Sequence, residues 1–305
     1  MTFMTEVMIK MIPYSGWEHC VHISNGIVDL IVTTDVGPRI IRYGFLGQAN
    51  EMCQVAAMQG KTGGDEWKIY GGHRLWHSPE AKPRSYEPDN SPVVWETIPN
   101  GIRTIQQIEP KALMKKEMEI TLASGSTKVK ILHRITNTGL WPVTLSAWAL
   151  TVMAPGGKEV VPQSQRDTGL LGNRVLALWP YTNMQDHRVY WGQKFIALQQ
   201  DPNMEPPFKF GFTNEDGWAA YFNHHHLFVK YYTHQIEASY PDYGVSYETY
   251  TTDFMLEMES LSPLTLIQPD GKVEHLEKWE LFDDVSMPAS CDEEIEASLA
   301  GRVKK

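Results

Sequence analysis

Cysteine is scarce in this chain. Its 305 residues include three, Cys20, Cys53 and Cys291. They are far apart, odd in number and without CxxC spacing, so neither a disulfide framework nor a cysteine-built metal site fits them. Three reduced thiols suit a cytoplasmic protein. Long hydrophobic runs are also missing, and no stretch reaches the roughly 18 apolar residues of a membrane helix. Met1, Met4, Met8 and Met11 are interrupted by Glu6 and Lys10 with no small-residue cleavage pattern, so no signal peptide is expected. Positive charge is in deficit: 27 Lys and Arg against 37 Asp and Glu give a net charge of −10. No basic stripe is present, which excludes nucleic acid as an expected partner. An acidic surface suits a protein that handles neutral ligands. The absence of GxSxG, Walker and GxGxxG patterns argues against hydrolase-elbow, P-loop and Rossmann chemistry. Helical periodicity is confined to residues 292–300.

What is present is a period of two. Residues 20–33 predict two strands around the turn Ser24-Asn25-Gly26. Three more strands are predicted from 117 to 153, separated by Ser124-Gly125-Ser126 and Asn137-Thr138-Gly139. Trp218–Phe222 and Leu227–Tyr232 predict a hairpin across Asn223-His224-His225-His226, and Phe254–Glu259 and Leu276–Leu281 read as late strands. Residues 79–110 read as a loop with short strands and 154–194 as irregular. Many short strands between Gly and Pro turns mean an all-β sandwich or barrel. The chain reads as one domain over 1–305, with a core at about 20–282 and a tail over 283–305.

Functional groups concentrate in Gly71-Gly72-His73-Arg74-Leu75-Trp76-His77-Ser78-Pro79-Glu80. This segment reads as a turn. Its glycines permit tight turning or close approach to a ligand. Its histidines can carry protons near neutral pH, Arg74 offers a fork of donors, and Trp76 offers an apolar face. Together they form a set suited to holding a sugar. In Leu256-Glu257-Met258-Glu259-Ser260, strand periodicity puts Glu257 and Glu259 on one face. They would lie about 6.6 Å apart along the strand. A cavity there would raise one carboxyl pKa and yield an acid and a base; an outward-facing sheet edge would not. Asp242, in Tyr240-Pro241-Asp242-Tyr243-Gly244, is a candidate for sugar hydroxyls, and the cations Arg74, Arg188 and Lys230 would suit a carboxylate or phosphate on the ligand. His224-His225-His226 is not expected to bind metal, because adjacent residues in a tight turn cannot all reach one ion.

The order of several weak motifs resembles the galactose mutarotase-like, or aldose 1-epimerase-like, proteins. They are Asn25-Gly26-Ile27 with Val36-Gly37-Pro38-Arg39-Ile40, Ile135-Thr136-Asn137-Thr138-Gly139 with Pro142, Leu256–Ser260, and Gln268-Pro269-Asp270-Gly271 with Trp279-Glu280-Leu281. The resemblance spans residues 20–282 and is to a poorly characterised branch of that superfamily. It implies a β-supersandwich with a concave sugar-binding face, and an isomerase that interconverts sugar anomers without cofactor or metal. On that model a carboxylate takes the anomeric proton and a histidine protonates the ring oxygen. Glu259 is the implied base, with Glu257 second. His73 or His77 is the implied acid or orienting group, and Arg74 holds a hydroxyl. Trp76, Glu80 and Trp148 complete the expected binding set. One departure is plain: Trp148 stands roughly where the family places its acid histidine, and an indole N–H does not titrate usefully. The expected ligand is a small sugar or sugar acid. A sugar-binding protein without chemistry, and a lyase or hydrolase on the same scaffold, are the competing readings.

Overall fold

The computed structural model describes residues 6–304. Two antiparallel sheets face each other. The first has eleven strands. Along it run Met8–Tyr14, Trp17–Ser24, Val28–Thr33, Arg39–Phe45, Gly72–Ser78, Val143–Met153, Leu256–Leu261, Tyr247–Thr251, Phe208–Phe212 and Leu176–Leu178, with Thr265–Ile267 paired beside Val143–Met153. The second has ten: Val189–Trp191, Phe195–Gln199, Lys158–Pro162, Trp218–Asn223, His226–Tyr231, Lys272–Phe282, Val129–Asn137, Met114–Leu122, Gly101–Ile105 and Val94–Ile98. The inward faces supply Leu30, Val32, Ile120, Ile131, Phe210, Phe228, Met258 and Trp279 to one core. The expected all-β sandwich is therefore the observed architecture. The helix expected at 292–300 runs Asp292–Leu299 and packs Ile295 and Leu299 beside the second sheet. Among the described residues no helix is long and apolar enough to cross a membrane.

Three local outcomes matter for the site. First, Gly71–Glu80 is not a turn. Gly72–Ser78 is a fully buried strand between Arg39–Phe45 and Val143–Met153. The two glycines serve those neighbours. A Cβ on Gly71 would lie 2.2 Å from the Cys53 carbonyl oxygen, and one on Gly72 would lie 2.4 Å from that of Ile40. Second, His224 and His225 have φ of 54° and 63°, as a two-residue hairpin turn requires. His226 leaves that turn to meet Glu51, its Nδ1 lying 2.6 Å from Oε1. Third, the stretch read as irregular holds the buried strand Lys158–Pro162.

Candidate functional site

Alternation along four neighbouring strands builds the site. In register across them, Arg74 stands opposite Leu150, Leu150 opposite Glu259, and Glu259 opposite Glu248. The next row runs Gly72, Val152, Glu257, Tyr250 and Lys209. Trp76 and Trp148 pair in the row beyond. All of these share one parity and so one face of the sheet. That face forms the floor of a cleft. Trp67, Arg74, Trp76, Glu80, Tyr86, Trp148, Leu150, Tyr181, Lys209, Tyr250 and Glu257 are among the residues lining a cleft of about 340 Å³.

The cleft combines aromatic faces with buried ion pairs. Trp76 contacts Trp67, Tyr86 and Trp148 edge-on at centroid distances of 5.4, 5.2 and 5.5 Å. The Arg74 guanidinium lies 4.6 Å over the Trp76 ring, and its Nη2 is 3.0 Å from Glu257 Oε1. Arg74 Nε and Nη1 are buried without hydrogen-bond partners, so two donors remain free. Lys209 Nζ lies 2.7 Å from Glu248 Oε2 and 3.1 Å from Glu259 Oε2, between the rings of Trp148 and Trp179 at 4.9 and 4.6 Å. Trp148 Nε1 donates to Glu259 Oε2 at 2.9 Å. Burial alone would push the Lys209 ammonium down, but the two carboxylates hold it well above its ordinary range. Burial pushes both Glu248 and Glu259 up, against the pull of Lys209. Tyr86 donates its hydroxyl to Glu80 at the mouth.

The structure thus brings together Arg74, Trp76, Trp148, Glu80 and Glu257. Glu259 lies beneath the floor, with no exposed surface and both oxygens engaged by Lys209. Asp242 lines an adjoining hollow. The remaining candidates lie elsewhere. His73 and His77 have the opposite parity to Arg74 and Trp76, so they point into the sandwich interior. His77 has no hydrogen-bond partner on either ring nitrogen, and burial pushes its pKa down to about 2. Lys230 also faces the interior, 3.0 Å from Glu277 and donating to the Met258 carbonyl at 2.9 Å. Arg188 is closed in an ion pair of 2.8 Å with Asp186 and donates to the Pro206 carbonyl. No histidine lines the cleft among the described residues. Sequence reading missed Lys209, Glu248, Trp67, Tyr86, Tyr181 and Tyr250. The signal for Lys209 was there: a lone cation alternates with Phe208 and Phe210 in an otherwise apolar strand.

The interior carries a second polar cluster. His73 Nε2 meets His133 Nε2 at 2.7 Å, and Ser260 Oγ meets His275 Nε2 at 2.7 Å. His73, His133 and Glu277 place one ligand atom each within 4.8 Å of the others, a spacing that could hold a cation. Each of them already has partners. His73 Nδ1 meets Thr151, His133 donates to the His275 carbonyl, and Glu277 accepts from Ser260 and Trp279. Lys230 supplies the positive charge that a metal would bring, so the cluster is self-contained. Larger hollows of about 420 and 680 Å³ lie at the 87–92 and 106–111 loops and beside Lys304. Neither sets buried ion pairs among clustered aromatic rings.

No protein-family model matches the sequence, and no curated protein matches it. Solved structures are similar in fold. A Klebsiella pneumoniae protein provisionally assigned as an aldose 1-epimerase superposes with a TM-score of 0.60 at 11% identity, over 96% of this chain and 85% of its own. A galactose mutarotase-like protein from Lactobacillus casei gives 0.55 at 8% identity, over 86% and 100%. A TPR-domain-containing protein from Parabacteroides distasonis gives 0.58 at 13% identity, over 94% of this chain but 50% of that one. Identity this low carries architecture and no activity. Two large facing antiparallel sheets and these superpositions agree, and the chain shares the β-sandwich fold of galactose mutarotase-like structures.

Proposed function

We propose that this protein binds a carbohydrate in the cleft of Trp67, Trp76 and Trp148 and acts on it as an aldose 1-epimerase-like isomerase, with Glu257 as the base. The observation that carries the reading is the Arg74–Glu257 pair of 3.0 Å on the floor of an aromatic-lined cleft. Sugar rings offer apolar C–H faces to aromatic rings and hydroxyls to fixed polar groups, and a cleft with a few convergent polar groups suits such a ligand. Arg74 Nε and Nη1 would donate to sugar hydroxyl oxygens. Glu257 takes the base role from Glu259 because it lines the cleft, whereas Glu259 is held beneath it by Lys209 and Trp148.

In this mechanism Glu257 removes the proton of the anomeric hydroxyl as the bond from C1 to the ring oxygen breaks. The ring oxygen gains a proton, C1 becomes a carbonyl, its face turns, and closure returns both protons. Glu80 and Tyr86, beyond the other end of the Arg74 strand, are proton carriers in the cleft lining. The fold shared with neighbours named as a galactose mutarotase-like protein and a provisional aldose 1-epimerase suggests this reaction class for the proposal. A binding protein without catalysis is the second reading, favoured by the absence of any histidine from the cleft lining.

Polarimetry of freshly dissolved α-glucose and α-galactose tests the proposal. Acceleration by wild type that Glu257→Gln loses by about 10²–10⁴-fold is the expected result. Sugar binding without acceleration, read from tryptophan fluorescence, moves the protein to the second reading. Loss in Glu259→Gln but not in Glu257→Gln returns the base to Glu259.

A further inference from the structure

The cleft does not end at Trp148. A second hollow of about 270 Å³ is lined by Glu80, Ala81, Lys82, Tyr86, Trp148, Trp179, Asp242 and Glu248. Glu80, Tyr86 and Trp148 line both hollows, so the two adjoin at these residues. The first chamber, at about 340 Å³, and the second each sit near the roughly 300 Å³ lower limit of small-ligand pockets. Together they form a bipartite groove.

The second chamber has the chemistry of a binding site in its own right. Glu248 is 1% exposed. Its Oε2 is held by Lys209 at 2.7 Å, while its Oε1 is buried with no hydrogen-bond partner. A buried polar oxygen without a partner is costly, and Glu248 is one of the lining residues, so a donor entering the chamber would satisfy it. Trp179 supplies an aromatic surface that Lys209 approaches to 4.6 Å. Asp242 adds a second acceptor. It is half-buried in a turn where it and Tyr243 have φ of 48° and 69°, and Tyr243 is 94% exposed. Three acids, Glu80, Asp242 and Glu248, line the chamber with the cation Lys82, and Lys209, which pairs with Glu248, is shared with Glu259, so acids remain in excess. That balance repels phosphate and carboxylate and accepts hydroxyls.

We propose that the groove is a two-ring site, in which the second chamber binds the next residue of a neutral disaccharide or longer glycan. Glu248 and Asp242 accept its hydroxyls, and Trp148 and Tyr86 flank the glycosidic linkage. The inference rests on the carbohydrate reading of the first chamber. It changes the ligand class from a single sugar to a glycan with at least two neutral rings.

Titration of the full chain by tryptophan fluorescence and calorimetry with glucose, galactose, maltose, cellobiose and lactose tests it. At least one disaccharide binds about tenfold or more tighter than its constituent monosaccharides, equivalent to one well-made set of contacts. In Asp242→Ala that ratio collapses towards one. Asp242→Asn, which keeps shape and an acceptor oxygen, retains part of it and guards against misfolding of the first variant. If monosaccharides bind as tightly as all three disaccharides, the two-ring site is overturned while the carbohydrate reading stands. If none of the five sugars binds, both fall.

Discussion

Arg74 and Glu257 meet at 3.0 Å on adjacent rows of the cleft floor, and the Arg74 guanidinium also lies 4.6 Å over Trp76. This pair leaves two Arg74 donors free and fixes the plane in which they point. Arg74→Lys keeps the charge and loses the planar fork. A charge-assisted hydrogen bond contributes about 1.5–3 kcal/mol, so sugar affinity should fall about tenfold to a hundredfold. Fluorescence titration reads this directly. Unchanged affinity would remove Arg74 from the binding site.

Lys209 is the common counter-ion of Glu248 and Glu259, which stand directly opposite each other on neighbouring strands. Like charges in that position destabilise a sheet. Lys209→Met would leave two buried carboxylates without a cation and should cost about 3–5 kcal/mol, measured by urea denaturation. Adding Glu259→Gln removes one charge and should recover a substantial part, since residues in one network are not additive. A loss below about 1 kcal/mol in the single variant would mean that the two carboxyls are already protonated without Lys209.

Period-two patterning was enough to read the sandwich and the shared face of Glu257 and Glu259, because one buried sheet face enforces alternation. Over His73–Ser78 the flanking glycines and proline suggest a turn and mask that patterning. The same alternation there separates Arg74 and Trp76 from His73 and His77. Strand parity was legible, but which parity faces the cleft was not, because both faces of that strand are buried. Lys230 and Lys209 make the same point. Each is a single cation in an apolar strand, and only the packing of sheet on sheet sends one to Glu277 and the other to the cleft. Arg188 found its partner two residues away in Asp186, a local pairing that hid its structural role.

His77 gives a test of that parity. It has no exposed surface, and neither ring nitrogen has a partner. Burial pushes its pKa down to about 2. Replacing an unsatisfied buried group by an apolar one of similar size relieves a penalty of about 1–3 kcal/mol. His77→Leu should therefore be as stable as wild type at pH 7, or more stable, and should keep sugar binding. The folded pKa lies below the unfolded value of about 6.5. The contribution of this histidine is thus complete above pH 6.5 and is lost as pH falls towards the folded value, by about 1.4 kcal/mol per unit. The variant should lose less stability than wild type between pH 6 and pH 4. Lost sugar binding in a folded His77→Leu protein would restore His77 to the site.

Glu159 titrates in the opposite sense. It is buried between the sheets, where Tyr247 donates to its Oε1 at 2.5 Å and its Oε2 has no partner. Burial pushes its pKa up to about 8, against the hydrogen bond from Tyr247. The folded value lies above the unfolded one, so the contribution of this acid is complete below about pH 4.5. It is lost as pH rises towards 8, because the unfolded chain ionises first. Glu159→Gln has no proton to lose. Relative to wild type, it should gain about 2–4 kcal/mol more at pH 8 than at pH 5, at roughly 1.4 kcal/mol per unit. Urea melts of both proteins at the two pH values give the difference between differences, from which the fixed cost of placing an amide beside Tyr247 cancels. An equal gap at both pH values would mean that Glu159 is ionised in the folded protein and that a neighbouring cation compensates it.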